Sequence, residues 1–182
     1  MSKQYWQEFY RKHDIKGHTP FAEWCLPYMR QHLYVADLGC GNGRDTYYFA
    51  RNFHRVVGVD YAVKPKKYKE AHFVQKPLED VISNGCFYDV VYSRFFLHSI
   101  AYHEVADILN WTRNLFLAEF RAKGDEPKLY PDHPRNFIDG NSFLKDLDHF
   151  GFDIIHYEKG RGLAKYKGED PLIIRVVAKK ER

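Results

Sequence analysis

The sequence predicts an α/β protein with a seven-stranded, doubly wound sheet that ends in an antiparallel hairpin. Three observations carry that expectation. Residues 33 to 50 read as strand, glycine turn and helix: the apolar run Leu33-Tyr34-Val35-Ala36 ends in Asp37, then Gly39, Gly41 and Gly43 alternate with Leu38, Cys40 and Asn42, and Asp45 opens a run bearing Tyr47, Tyr48, Phe49 and Ala50. Four further short apolar runs follow, separated by segments with helical character. Two β-branched runs around a glycine-bearing segment close the chain.

The totals fit this class. A chain of 182 residues suits one domain with a sizeable core, here residues 1–182, with 1–32 as an N-terminal helical cap. The 14 Tyr and 14 Phe suit flat apolar ligand surfaces and suit plain packing equally. Net charge is +4, and the densest basic run, Lys64-Pro65-Lys66-Lys67-Tyr68-Lys69, reads as a solvated face before it reads as an anion site. Cys25, Cys40 and Cys86 form no CxxC pair, so neither a zinc site nor a disulfide framework is indicated and no metal is expected. No stretch reaches the length of a membrane span, and the first residues lack an apolar signal region, which points to a cytoplasmic protein with free thiols.

Each element has its own signal. Tyr5, Trp6, Phe9 and Tyr10 recur at helical spacing. Thr19-Pro20 reads as an N-cap followed by proline at the first helical position, and Pro27 should kink or end that helix. After the glycine turn and its helix, where Asp45 is expected as a cap, His54 to Asp60 reads as the second strand, and Ala71 to Gln75 as the third. Glu79 and Asp80 are expected to cap the next helix. Phe87 to Tyr92 gives the fourth strand and Ala101 to Asn110 a helix. Asn114 to Phe120 gives the fifth strand. A long connection rich in Pro, Asp and His then runs from Arg121 to Phe137, and connections of that length are often functional. Ser142 to Phe150 is a short helix, and 152–158 with 172–178 form the terminal antiparallel pair.

The glycine turn implies a ligand, because three glycines after a strand let backbone approach a bound group where a Cβ would clash. The dinucleotide pattern Gly-x-Gly-x-x-Gly fails in both registers: its third glycine would fall at Arg44 or at Thr46. A Gly-x-Gly-x-Gly turn preceded by an acid resembles motif I of the class I S-adenosylmethionine-dependent methyltransferases, whose sheet is Rossmann-like. Ser93-Arg94-Phe95-Phe96, after the fourth strand, resembles motif IV of the same family. The resemblance covers nearly the whole chain and rests mainly on residues 33 to 60 and 87 to 98. A narrower one joins the tail, Glu119-Phe120-Arg121, Arg135 to Gly140 and Gly168 to Lys180, to small methyltransferases of bacterial surface-polysaccharide synthesis.

The resemblance implies S-adenosylmethionine as cofactor and S-adenosylhomocysteine as product. It implies cofactor contacts from Asp37, Gly39, Cys40, Gly41, Asn42, Gly43 and Arg44, the last reaching the methionine carboxylate. Asp60, 17 residues past Gly43, can accept from ribose hydroxyls, with Tyr61 beside it. Lys76, Pro77 and Leu78 fall where the family contacts adenine, and Ser93, Arg94 and Phe95 beside the transferred methyl. Trp6 and Tyr10 could border the sulfonium by cation–π attraction.

Methyl transfer to a hydroxyl calls for a general base near neutrality. His98, just past motif IV, and His133, in the long connection, are the base candidates, and each has a plain reading as a packing or exposed histidine. A phosphate acceptor needs no base and favours arginine, so Arg94, Arg121 and Arg135 are acceptor candidates. Nucleic acid is not expected, because enzymes methylating its amino groups carry Pro-Pro-aromatic after the fourth strand, and this chain does not. The expected reaction is O-methylation of a small polar, saccharide-linked acceptor. The alternatives are a non-catalytic cofactor-binding protein and, further off, a nicotinamide-dependent reductase.

Overall fold

The structure, a computed structural model, describes residues 3–13, 15–83, 85–125, 135–165 and 168–180. Its strands are β1 (Tyr34–Leu38), β2 (Arg55–Val59), β3 (Ala71–Val74), β4 (Tyr88–Arg94), β5 (Thr112–Arg121), β6 (Phe152–Gly160) and β7 (Ile173–Lys180). The helices are α1 (Lys3–Lys12), α2 (Pro20–Cys25), α3 (Arg44–Arg51), α4 (Leu78–Ile82), α5 (Tyr102–Trp111) and α6 (Gly140–His149). Sheet order is β3-β2-β1-β4-β5-β7-β6, with β7 antiparallel to both neighbours. The seven-stranded doubly wound sheet and its terminal antiparallel hairpin are those the sequence predicts.

The sheet is covered on both faces. One core joins β-strand residues such as Val91, Phe116 and Val176 to Val105, Ile108 and Leu109 of α5 and Phe143 and Leu147 of α6. The other joins Val35, Val56 and Val90 to Phe21 and Cys25 of α2 and Phe49 of α3. Strands covered on both faces are buried along nearly their whole length rather than at alternate residues, which is the pattern of β1 and β4. No helix among the described residues is long and apolar enough to cross a membrane.

Local chemistry sets the boundaries. Thr19 caps α2: its Oγ1 accepts from the Ala22 N–H at 3.0 Å, with Pro20 at the first helical position. That helix stops at Cys25 and tightens into a 3-10 turn over Leu26–Tyr28, where Pro27 cannot continue the ladder. Two expected caps differ. Gly43, at φ 78°, holds the N-cap position of α3, and Asp45 turns away from it. Its carboxylate accepts from the Thr19 N–H (2.7 Å), Thr19 Oγ1 (2.9 Å) and Tyr92 Oη (2.8 Å), fastening α2 to β4. Glu79 and Asp80 lie inside the first turn of α4, which starts one position after Pro77, so they complement the helix dipole instead of capping.

Helix α6 begins at Gly140, two residues before the expected start, because Asp139 caps it through the Ser142 N–H. Glycine is required there, since a Cβ would meet Tyr157 Oη and Ile174 Cδ1.

Candidate functional site

The C-terminal ends of β1, β2 and β4 open into a cavity of about 750 Å³, the place where doubly wound sheets bind ligands. Three walls face it. The first is the turn after β1. Gly39 lines the cavity, while Gly41, at φ 54°, lies under Tyr10, into whose phenol a Cβ there would run. At Gly43 a Cβ would lie 2.7 Å from Phe73 Cε1. The turn is thus built for glycine on both backbone and steric grounds.

The second wall is the end of β2. The Asp60 carboxylate accepts from the N–H groups of Gly41 (3.0 Å), Ala62 (2.7 Å) and Val63 (3.2 Å). Burial pushes its carboxyl up, and these three donors pull it back. Tyr61, Lys76, Pro77 and Leu78 line the same end of the cavity.

The third wall comes from α1. This helix buries none of its residues, yet Tyr5, Trp6, Phe9 and Tyr10 all line the cavity. Trp6 and Tyr10 sit 6.2 Å apart, centroid to centroid. Burial, then the charge of Asp60, drives the Tyr10 phenol well above its ordinary range, so it stays a neutral donor. The segment after α1 is tied down where Asn42 Nδ2 donates to Ile15 O at 2.7 Å.

A smaller polar cavity of about 50 Å³ adjoins the turn, lined by Asp37, Cys40, Asn42, Arg44, Asp45 and Arg94 with Tyr10 and Gly39. Asp37 accepts from Thr46 Oγ1 at 2.6 Å. Burial, with Asp45 nearby, pushes its carboxyl up to about 8. Arg94 borders both cavities; its Nε donates to Glu119 at 2.9 Å, and its guanidinium lies 4.7 Å from the Phe95 ring. Glu119 is buried and also accepts from Arg175 Nε at 2.7 Å.

The remaining side is formed by the ends of β4 and β5, the start of α5 and the β6–β7 loop. Arg121 and Arg135 line it. Arg121 pairs with Asp125 at 3.1 Å and with Glu169 at 2.5 Å, and Glu169 itself lines the cavity.

Two side chains expected at the site fall elsewhere, and a third is not among the described residues. His98 is buried in the 3-10 turn Leu97–Ser99 and does not line the cavity. Its Nδ1 accepts from the Arg121 N–H at 3.3 Å and its carbonyl from the Asn136 N–H at 2.7 Å, which is a packing and positioning role. Ser93 is buried in β4 between Leu38 and Ala118, and its Oγ has no hydrogen-bond partner among the described residues. His133 lies outside the described residues. Conversely, Glu104 and Glu169 line the cavity without a sequence signal that pointed there. Glu169 arrives on a loop from the far edge of the sheet. Glu104 looked like an ordinary helix residue, and its Oε2 reaches back to the Ala101 N–H at 2.7 Å.

Residues 36–114 match the family described as "Methyltransferase domain", a stretch that spans under half of the chain. No curated protein matches. Among solved structures, the chain is similar to 1,6-didemethyltoxoflavin-N1-methyltransferase of Burkholderia thailandensis, at 18% identity and TM-score 0.70, covering 89% of this chain and 77% of that one. It is similar to magnesium protoporphyrin IX methyltransferase of Synechocystis PCC 6803, at 17% identity and TM-score 0.66, covering 88% and 76%. The [4+2]-cyclase SpnF also matches, at 11% identity and TM-score 0.67, covering 92% and 84%.

A methyltransferase domain implies S-adenosylmethionine, and the residues present fit it. The small cavity brings the guanidinium groups of Arg44 and Arg94 beside the glycine turn, where a carboxylate can sit, and Asp60 stands at the larger one with the aromatic rings of Trp6 and Tyr10. The fold is the Rossmann-like methyltransferase fold, and residues 36–114 match the methyltransferase-domain family.

Proposed function

We propose that this chain transfers a methyl group from S-adenosylmethionine to a small polar acceptor, a hydroxyl or phosphate of a saccharide. The observation that carries the cofactor half is the bond from the Gly41 N–H to Asp60, which joins the glycine turn to the ribose-binding position in one rigid piece at the cavity. Arg44 and Arg94 would hold the methionine carboxylate, Asp60 the ribose, and the segment Lys76–Pro77–Leu78 the adenine. Trp6 and Tyr10 would close over the sulfonium.

The cofactor supplies an activated methyl group. What the protein adds is alignment and exclusion of water. The aromatic α1 wall serves the second purpose, and the arginines on the opposite wall serve the first by orienting a polar acceptor. The saccharide assignment is supported by the polar, arginine-bearing acceptor wall and by the tail's resemblance to polysaccharide-associated enzymes. Since His98 is buried away from the cavity, a hydroxyl acceptor would draw on His133.

The fold also matches a [4+2]-cyclase, so turnover has to be measured and not inferred from architecture. Calorimetry should detect S-adenosylhomocysteine binding and no NADH binding. A methyl-release assay against nucleotide sugars, acidic glycans and plain RNA should then give product with a sugar. The acceptor assignment falls if RNA or DNA is methylated as fast as the best sugar.

A further inference from the structure

Resting on the methyl transfer proposed above, we infer that the accepting atom is an oxyanion, a carboxylate or phosphate oxygen, and that Glu169 is a built-in stand-in for it on Arg121. Arg121 is held from behind. Its Nη1 donates to Asp125 at 3.1 Å, and Asp125 is buried and further fixed by the Leu172 N–H at 2.9 Å. That anchor leaves the fork's other arm, Nη2, on the cavity side, where it meets the Glu169 carboxylate at 2.5 Å. Glu169 comes from the β6–β7 loop and its side chain is 35% exposed, so it can be exchanged where Asp125, at 7%, cannot.

The surroundings suit an anionic group. The Phe95 ring lies between the guanidinium groups of Arg94, at 4.7 Å, and Arg121, at 6.0 Å, and Arg135 lines the same space. A carboxylate or phosphate placed on Nη2 keeps the charge-assisted bond that Glu169 now makes.

The same lining argues about the proton. Among the described residues, no histidine lines the cavity, and its carboxylates are already engaged: Asp60 by three backbone N–H groups, Glu104 by Ala101, Glu169 by Arg121. A hydroxyl would meet no disengaged base among the described residues, whereas an oxyanion needs none. In the transfer, an oxygen lone pair forms the O–C bond while the S–C bond breaks and its electron pair stays on sulfur. The sulfonium becomes a neutral thioether, the acceptor loses one negative charge, and no proton is released.

The test is calorimetry on the full chain saturated with S-adenosylhomocysteine, titrated with galacturonate, glucose 1-phosphate and glucose. At least one anion should bind at least tenfold tighter than glucose, and which one does so separates carboxylate from phosphate. Glu169→Gln should tighten that anion at least threefold with cofactor affinity unchanged, because the competitor is gone. Arg121→Gln should weaken it at least tenfold, and Glu169→Gln carries the test if that variant misfolds. Glucose binding as tightly as the anions, neither anion binding, or no tightening in Glu169→Gln each overturns the inference while leaving the cofactor reading intact. Failure of S-adenosylhomocysteine to bind overturns that reading first.

Discussion

Asp60 and Gly41 are joined by a 3.0 Å hydrogen bond from the Gly41 backbone N–H to the Asp60 carboxylate. One side chain therefore does two things: it offers an acceptor at the cavity and it fixes the glycine turn against the end of β2. Asp60→Ala should weaken S-adenosylhomocysteine by about 1.5–3 kcal/mol, the usual worth of hydrogen bonds to a charged group. Asp60→Asn keeps one carbonyl oxygen for the turn, so it should recover thermal stability more fully than affinity. Calorimetry and a melting curve on both variants check this. Unchanged affinity in folded Asp60→Ala would place the ribose elsewhere.

Gly41 has a left-handed backbone, and its missing Cβ is the space taken by the Tyr10 phenol. Gly41→Val should abolish cofactor binding while leaving a folded sheet. It should also dislodge α1, which is held to the body largely through its aromatic side chains. Limited proteolysis should then cut between Lys12 and Thr19 faster than in the parent chain. A variant that binds S-adenosylhomocysteine normally would show that the turn does not touch the cofactor.

How far the sequence reached is seen in these same residues. The glycine turn, the acid at the end of β2 and the Thr19-Pro20 cap were legible because each is a local pattern whose physics acts over a few neighbours. The strand series predicted the sheet because hydrophobic period and spacing leave few topologies open. The Tyr10–Gly41 contact and the Arg121–Glu169 pair were not legible, since they join residues 31 and 48 positions apart that meet only when α1 and the β6–β7 loop fold over the sheet. Asp45 was misassigned for a related reason: its local capping tendency lost to three buried partners supplied by α2 and β4.

Asp37 should make stability fall as pH rises. Burial and Asp45 hold its folded carboxyl up to about 8, against about 4 in the unfolded chain. Between those values the folded state binds the extra proton. The contribution is fully present below about pH 4 and lost as pH climbs through about 8. Asp37→Asn stays neutral throughout, so its melting temperature should drop less between pH 5 and pH 9 than that of the parent. Each kcal/mol of difference is worth about 2–4 °C at this chain length. Parallel melting profiles would mean that Asp37 is ionised in the folded protein at neutral pH.

His98 sits just after β4, where a base was expected, but the 3-10 turn over Leu97–Ser99 directs its ring into the interior, 5.7 Å from Phe95 and in contact with the Arg121 backbone. Its Nδ1 accepts the Arg121 N–H at 3.3 Å, so the ring positions the residue proposed to grip the acceptor. His98→Ala leaves that buried donor unsatisfied and should cost about 1–3 kcal/mol of stability. His98→Asn offers a side-chain oxygen in place of Nδ1 and should restore part of it. In a turnover assay, a positioning role raises the Michaelis constant of the acceptor, with kcat falling less and the pH profile keeping its shape. A general base gives the opposite pattern, with kcat down about a hundredfold or more in both variants and the acid limb of the profile lost. That second pattern would return His98 to the chemistry and show that the ring reaches the acceptor in the loaded enzyme.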